Sequence, residues 1–123
     1  MDKKKILVAD DDKVTLKLVE HSLTNAGYDV VFTEDGNQVI GLVKKEKPNL
    51  ILLDIFMPGM HGTEIGQALR NDPEAKNIPI IYLTSLFTKD DERRMGHIIS
   101  GNLFIAKPFN TDDLLRMVQE HIL

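Results

Sequence analysis

Five short aliphatic runs alternate with five stretches of helical periodicity, and this alternation constrains the fold more than any other feature of the chain. Each run is rich in Ile, Leu and Val, and each is followed by apolar residues three or four apart. The runs are KKILVAD, YDVVFT, NLILLD, IPIIYLT and NLFIAK. A strand–helix unit repeated five times predicts an α/β, doubly wound fold, in which a five-stranded parallel sheet carries helices on both faces.

The helical stretches have ends that the sequence marks. The first stretch stops at Gly27 and the second is ended by Pro48. The fourth, TKDDERRMGHIIS, is predicted to be helical from Thr88, because Asp91 follows three residues later as in a capping box. Gly96 would then lie inside this helix. A glycine there costs about 1 kcal/mol relative to alanine, so it predicts either a marginal, movable helix or a site of close packing.

Composition excludes several classes of protein. The chain has 123 residues and no cysteine, which rules out disulfides, cysteine–zinc sites and thiol catalysis. A net charge of −4 argues against nucleic acid as a direct partner. No apolar run approaches the roughly 20 residues that span a membrane, and the apolar part of MDKKKILVAD is too short for a secretory signal. We therefore expect residues 1–123 to form one cytoplasmic domain with no membrane partner.

Polar side chains stand at the carboxyl ends of four of the predicted strands. Asp10 and Asp11 follow the first strand, Asp54 ends the third, Thr84 ends the fourth and Lys107 follows the fifth. In an open α/β sheet, sites form beyond the carboxyl ends of the strands. One edge of the sheet is therefore expected to collect carboxylates, a hydroxyl and an amine.

This set of side chains fits metal-assisted phosphoryl chemistry. Neighbouring carboxylates raise one another's pKa, and Lys107 offsets only one of three negative charges. A hard divalent ion, Mg²⁺ or Mn²⁺, would complete such an oxygen site together with the backbone carbonyl of Phe56. Asp54 stands alone at its strand end and is the candidate nucleophile. Lys107 and Thr84 would then contact the oxygens of a transferred phosphoryl group.

Each of these residues also has a simpler interpretation. Asp10 to Asp12 are suited to capping the first helix, and Lys107–Pro108 is suited to a solvated turn. Thr84 is a residue type that favours strand ends. Their joint occurrence at the ends of strands one, three, four and five favours a functional site.

Four segments together resemble the receiver domain of two-component response regulators, the kind found alone in bacterial chemotaxis regulators. They are ILVADDD, LILLDIFMPGMHG, IPIIYLTS and FIAKPF, and the resemblance covers the whole chain. It implies a flavodoxin-like fold and a signalling protein, not an enzyme, without an output domain. It further implies that Asp54 is phosphorylated by a histidine kinase or a histidine phosphotransfer protein. Asp10, Asp11, Asp54 and the Phe56 carbonyl would hold the metal.

The resemblance also assigns a switch and an output face. Thr84 and Phe104 match the family's switch pair, in which Thr84 moves toward the phosphoryl group and the aromatic ring then turns inward. Phe104 stands where many members have tyrosine. The fourth helix, fifth strand and fifth helix would form the face that an unidentified downstream protein reads. The Lys107–Pro108 peptide is expected to be cis.

Three positions depart from the family pattern. His61 replaces an aspartate, GHIISGN lacks a common Gly-Ala pair, and Phe56 is large and apolar. We hypothesise that Phe56 shields the phosphoryl group from water. The four histidines are predicted to be surface residues, because none has a metal-ligand partner at helical spacing.

Two alternatives remain at this point. One is an enzyme, a Mg²⁺-dependent phosphatase or phosphotransferase acting through an aspartyl phosphate. It is disfavoured because such hydrolases carry the nucleophile after strand one in a D-x-D pattern and add a cap domain. The other is a receiver domain taken from a longer regulator.

Overall fold

The computed structural model describes residues 3–99 and 101–123, which form a single sheet between two layers of helices. The strand order is β2-β1-β3-β4-β6-β5. The strands are β1 (Lys5–Ala9), β2 (Asp29–Thr33), β3 (Leu50–Asp54), β4 (Ile80–Thr84), β5 (Ile98–Ile99) and β6 (Asn102–Ala106). All pair in parallel except β5, which is antiparallel to β6. The predicted five-stranded parallel sheet is therefore confirmed, with β6 as its fifth strand and β5 as an unpredicted addition at the edge.

The five predicted helices are present in the described part of the chain. They are α1 (Lys13–Asn25), α2 (Val39–Glu46), α3 (Gly62–Arg70), α4 (Lys89–Met95) and α5 (Thr111–His121), and a 3₁₀ turn (Gly36–Gln38) precedes α2. Side chains cap three of them, because Asp12, Thr88 and Asn110 each accept a backbone N–H from the first turn. Within the described residues no helix combines the length and apolar character that a membrane crossing requires.

The sheet separates two apolar cores. In β1, Ile6 and Val8 pack with α1 and α5, whereas Leu7 and Ala9 pack on the opposite face with α2 and α3. The central strand β3 is buried along its whole length. A strand that is buried on both faces requires an unbroken aliphatic run, which is what the sequence supplies.

The fourth helix is shorter than predicted. Its capping box between Thr88 and Asp91 is confirmed, but the helix ends at Met95. Gly96 is the C-cap in the left-handed conformation, with φ +64°, and a Cβ added there would meet nothing within 4 Å. The prediction that Gly96 lies inside the helix is therefore wrong. Gly96 neither weakens the interior of the helix nor provides space for close packing. The helix ends because the backbone enters the left-handed region at Gly96, and the next residue, His97, is also left-handed with φ +64°. The predicted end of the helix at Ser100 lies outside the described residues.

The helix α4 is attached to the sheet through a buried carboxylate. Glu92 is 4% exposed, and its Oε2 accepts the Ala106 N–H of β6 at 2.5 Å and lies 3.3 Å from Lys89 Nζ. The backbone carbonyl of His97 accepts the Phe104 N–H at 2.9 Å. His97 is half-buried against the Phe104 ring, in contrast to the predicted surface position. These contacts give hydrogen-bond acceptors to N–H groups on the outer edge of β6, which would otherwise be unpaired.

Candidate functional site

Three carboxylates meet where β1 and β3 end. Asp10 follows β1, Asp54 ends β3, and the two strands are neighbours in the sheet. One oxygen from each of Asp10, Asp11 and Asp54 lies within 4.8 Å of the others. Asp10 is fully buried, Asp54 is 7% exposed and Asp11 is open to solvent. The structure thus brings together the carboxylates that the sequence places at this edge.

Asp10 is held in place from two sides. Its Oδ1 accepts the Asp12 N–H at 2.9 Å, and its Oδ2 lies 2.6 Å from Lys107 Nζ. The carboxylate that caps α1 belongs to Asp12, which accepts the Val14 N–H at 3.0 Å. The simpler interpretation as a helix cap therefore applies to Asp12, whereas Asp10 points into the cluster.

Lys107 bridges the two buried carboxylates. Its ammonium lies 2.6 Å from Asp10 Oδ2 and 3.4 Å from Asp54 Oδ2. Its backbone N–H donates to the Thr84 carbonyl at 2.7 Å, and the following peptide to Pro108 is cis, as expected. Burial lowers the pKa of Lys107, but the neighbouring carboxylates, Asp10 foremost, outweigh this effect and raise it above its ordinary value. The ammonium is therefore charged at neutral pH.

The surroundings of Asp54 raise the pKa of its carboxyl group. Burial raises its pKa first, and the charge of Asp10 raises it further. Lys107 and the Phe56 N–H, which donates to Asp54 Oδ1 at 3.2 Å, oppose that rise, and the resulting pKa is about 6. One ammonium faces three carboxylates, so the cluster carries excess negative charge when all are ionised. This charge and the all-oxygen donor set fit a hard divalent cation such as Mg²⁺.

The raised pKa predicts how stability depends on pH without metal. The unfolded carboxyl releases its proton near the ordinary value of 3.8, whereas the folded one holds it to about 6. The free energy of unfolding should therefore fall by about 3 kcal/mol as pH rises through this window, and this contribution should be level above it. Asp54→Asn should remove the fall. Urea denaturation of both proteins in chelator, from acid to neutral pH, measures the difference, and parallel curves would contradict the assignment.

The remaining predicted residues lie on elements next to the carboxylate cluster. Thr84 is buried at the end of β4, and its Oγ1 accepts the Leu86 N–H at 3.0 Å. Phe104 is 1% exposed, with its ring centroid 5.4 Å from that of Phe87. The resemblance predicts that this ring turns inward on phosphorylation, and in the structure it already lies inside. Phe56 is beside Asp54 through its backbone, while its ring is 51% exposed and meets His61 edge-on.

Two glycines that sequence reasoning passed over shape the loop after Asp54. The Gly62 N–H donates to the Ile55 carbonyl at 2.8 Å, and a Cβ added to Gly62 would lie 2.2 Å from the Asp54 carbonyl oxygen. A Cβ on Gly36 would lie 2.1 Å from the Met60 carbonyl oxygen. The loop therefore folds back on the backbone of Asp54, and only glycine permits this approach. The loop-forming letters MPGMHG are the only sequence signal for it.

Comparison with known proteins identifies relatives along nearly the whole chain. The family model described as "Response regulator receiver domain" matches residues 6–119. The chain is similar to the chemotaxis protein CheY4 of Vibrio cholerae, with 29% identity and a TM-score of 0.83 over 98% of this chain and 100% of that one. It is also similar to the BeF₃-activated receiver domain of Klebsiella pneumoniae RstA, with 30% identity and a TM-score of 0.79 over 96% and 97%. It is similar as well to the N-terminal domain of a response regulator receiver protein from Methanoculleus marisnigri, with 30% identity and a TM-score of 0.70 over 97% of this chain and 95% of that one.

Proposed function

Because the chain belongs to the response regulator receiver domain family, whose members are phosphorylation-dependent receivers of two-component signalling, we propose that its phosphoacceptor is Asp54. The donor in this proposal is a phosphohistidine of a histidine kinase or of a histidine phosphotransfer protein. The observation that carries the proposal is the position of Asp54, with Asp10 on one side and the ammonium of Lys107 at 3.4 Å. The protein acts as a switch for other proteins and not as an enzyme with a substrate of its own.

The transfer requires one bond to form and one to break. An Asp54 carboxylate oxygen attacks the phosphorus, the phosphorus–nitrogen bond breaks, and the released imidazole takes up a proton. Negative charge spreads over the phosphoryl oxygens as this happens. The Lys107 ammonium is already placed and charged, so it stabilises that charge without reorganisation. The Thr84 hydroxyl, one strand away, donates to a phosphoryl oxygen.

The metal in this proposal is Mg²⁺, which receiver domains typically bind in an acidic pocket. The carboxylates of Asp10, Asp11 and Asp54 and the backbone carbonyl of Phe56 would hold it. When bound, it supplies positive charge next to the phosphoryl oxygens. In the structure Asp10 is oriented by the Asp12 N–H and by Lys107.

The output in this proposal passes through the face formed by α4, β6 and α5. Phe104 lies in β6 between Phe87 and His97, and Glu92 joins α4 to the backbone of Ala106, the residue before Lys107. A change at Thr84 and Lys107 therefore has a short route of direct contacts to α4. A downstream protein that binds this face would read the change.

The test is the intact mass of the purified chain after incubation with acetyl phosphate. With Mg²⁺ we expect a gain of one phosphoryl group, and in excess chelator we expect none, because the charge of the site is then uncompensated. A protein that gains no phosphoryl group in Mg²⁺ under conditions where it is folded would overturn the proposal.

The exposed Phe56 ring leads to a prediction about the lifetime of the phosphorylated state. If its apolar surface keeps water from the phosphoryl group, Phe56→Asn should accelerate loss of phosphate about fivefold, or about 1 kcal/mol in the barrier. Phe56→Leu keeps an apolar side chain and should retain the slow rate. Decay of the phosphorylated mass over time measures both, and equal decay for Asn and wild type would reject the shielding role.

A further inference from the structure

A cavity lies along α3, from Thr63 near the start of the helix to Arg70 at its end, and Ile55, the residue after Asp54, also lines it. Its volume is about 450 Å³. Tyr82 of β4 and Phe104 of β6 contribute to its walls, together with Phe87, and Gly66 and Arg70 of α3 lie across from them. Volumes of this size, with mostly apolar walls and few polar groups, are typical of small-molecule sites.

Tyr82 directs a hydroxyl without a partner toward this cavity. The residue is 8% exposed, and its hydroxyl oxygen lies 1.9 Å from the point where a Cβ of Gly66 would be. The glycine thus leaves the space that the hydroxyl occupies. Among residues 3–99 and 101–123 no group pairs with this hydroxyl. Burial raises the pKa of Tyr82 above its ordinary value, against the opposing charge of Arg70, so the phenol is a hydrogen-bond donor at neutral pH.

Arg70 supplies a fixed positive charge at the same cavity. Its Nη1 donates to the carbonyls of Lys76 at 3.1 Å and Ile78 at 2.9 Å, which anchors the side chain. The guanidinium has five N–H donors, so others remain to face a ligand. Thr63, Gln67 and Asn102 also line the cavity. With its aromatic walls, the neutral donor of Tyr82 and the cation of Arg70, the cavity is complementary to an anion with a flat apolar body.

We propose that this cavity binds a small aromatic carboxylate. The ring of the ligand lies against Phe87 and Phe104, and its carboxylate accepts the Tyr82 hydroxyl and faces the Arg70 guanidinium. This site goes beyond the proposed phosphoryl switch, because neither the metal nor Asp54 takes part. Its occupant would nevertheless touch Phe104, the aromatic member of the proposed switch pair.

The test uses 2-naphthoate as the probe, with the full chain in chelator and without acetyl phosphate, so its outcome does not depend on phosphorylation. In amide ¹H–¹⁵N spectra we expect saturable shifts that centre on Tyr82, Phe87 and Phe104. Tyr82→Phe and Arg70→Gln should each weaken binding about tenfold, because each removes a charge-assisted contact. Arg116→Gln, on α5 at the other face of the sheet, should bind as wild type does.

Two results would overturn this proposal. One is the absence of saturable shifts around the cavity. The other is binding that Tyr82→Phe and Arg70→Gln leave unchanged, which would indicate an apolar surface without a carboxylate site. The cationic probe 2-naphthylmethylamine should bind no better to wild type than to Arg70→Gln, and a preference for wild type would also count against the proposal. Thermal melting of each variant verifies that it is folded.

Discussion

Asp54→Asn is expected to abolish phosphorylation by acetyl phosphate in Mg²⁺ completely. The amide has the shape of the carboxylate but no anionic oxygen to attack phosphorus, and no other carboxylate contacts both Asp10 and Lys107 among the described residues. Intact mass measures the loss directly. The fold should survive, because the substitution removes a buried charge whose pKa is already raised to about 6.

Asp12→Asn is the matched control for this experiment. Asp12 is exposed, lies two residues from Asp10, and acts as the N-cap of α1. Asparagine caps helices as well as aspartate does, and its backbone N–H still orients Asp10. This variant should be phosphorylated like wild type. A phosphoryl group gained by Asp54→Asn would place the acceptor on another residue.

The sheet and the carboxylate cluster could be predicted from the sequence because both depend on local signals. Each central strand is a contiguous aliphatic run, and each site residue directly follows one. Parallel topology then brings Asp10, Asp54 and Lys107 to one edge without any knowledge of loop conformation.

The parts that were not predicted depend on contacts between distant segments. DDERRM reads as a solvated charge run, yet Glu92 is buried because the outer edge of β6 needs an acceptor for the Ala106 N–H. The end of α4 depends on the left-handed conformation of Gly96. A glycine after basic residues is a signal for a helix end, as at Gly27, but the prediction continued the helix through the apolar residues that follow it. The cavity at Tyr82 depends on the glycine at position 66, which becomes meaningful only when α3 is placed against β4.

Gly62→Ala is expected to destabilise the fold by about 3 kcal/mol or more. The new Cβ would lie 2.2 Å from the Asp54 carbonyl oxygen and 2.8 Å from the Ile55 Cα, and both are backbone atoms that cannot rotate away. Overpacking against side chains typically costs about 1–3 kcal/mol, and a backbone obstacle belongs at or above the upper end. Urea denaturation with a shared slope measures the change in the free energy of unfolding.

Gly41→Ala is the control that separates the steric clash of a Cβ at position 62 with the backbone of Asp54 from the general effect of replacing glycine by alanine. Gly41 lies in α2 and a Cβ there meets nothing within 4 Å, so alanine should stabilise the chain by roughly 0.5–1 kcal/mol. The two substitutions add the same methyl group and should act in opposite directions.

The outcome for Gly62→Ala decides what positions the acceptor. If this variant were as stable as wild type, the loop would be free to move away from Asp54. The acceptor would then be positioned by its strand and by Lys107 alone. If the variant is destabilised and also phosphorylated more slowly, the fold of this loop contributes to the placement of the Asp54 carboxylate.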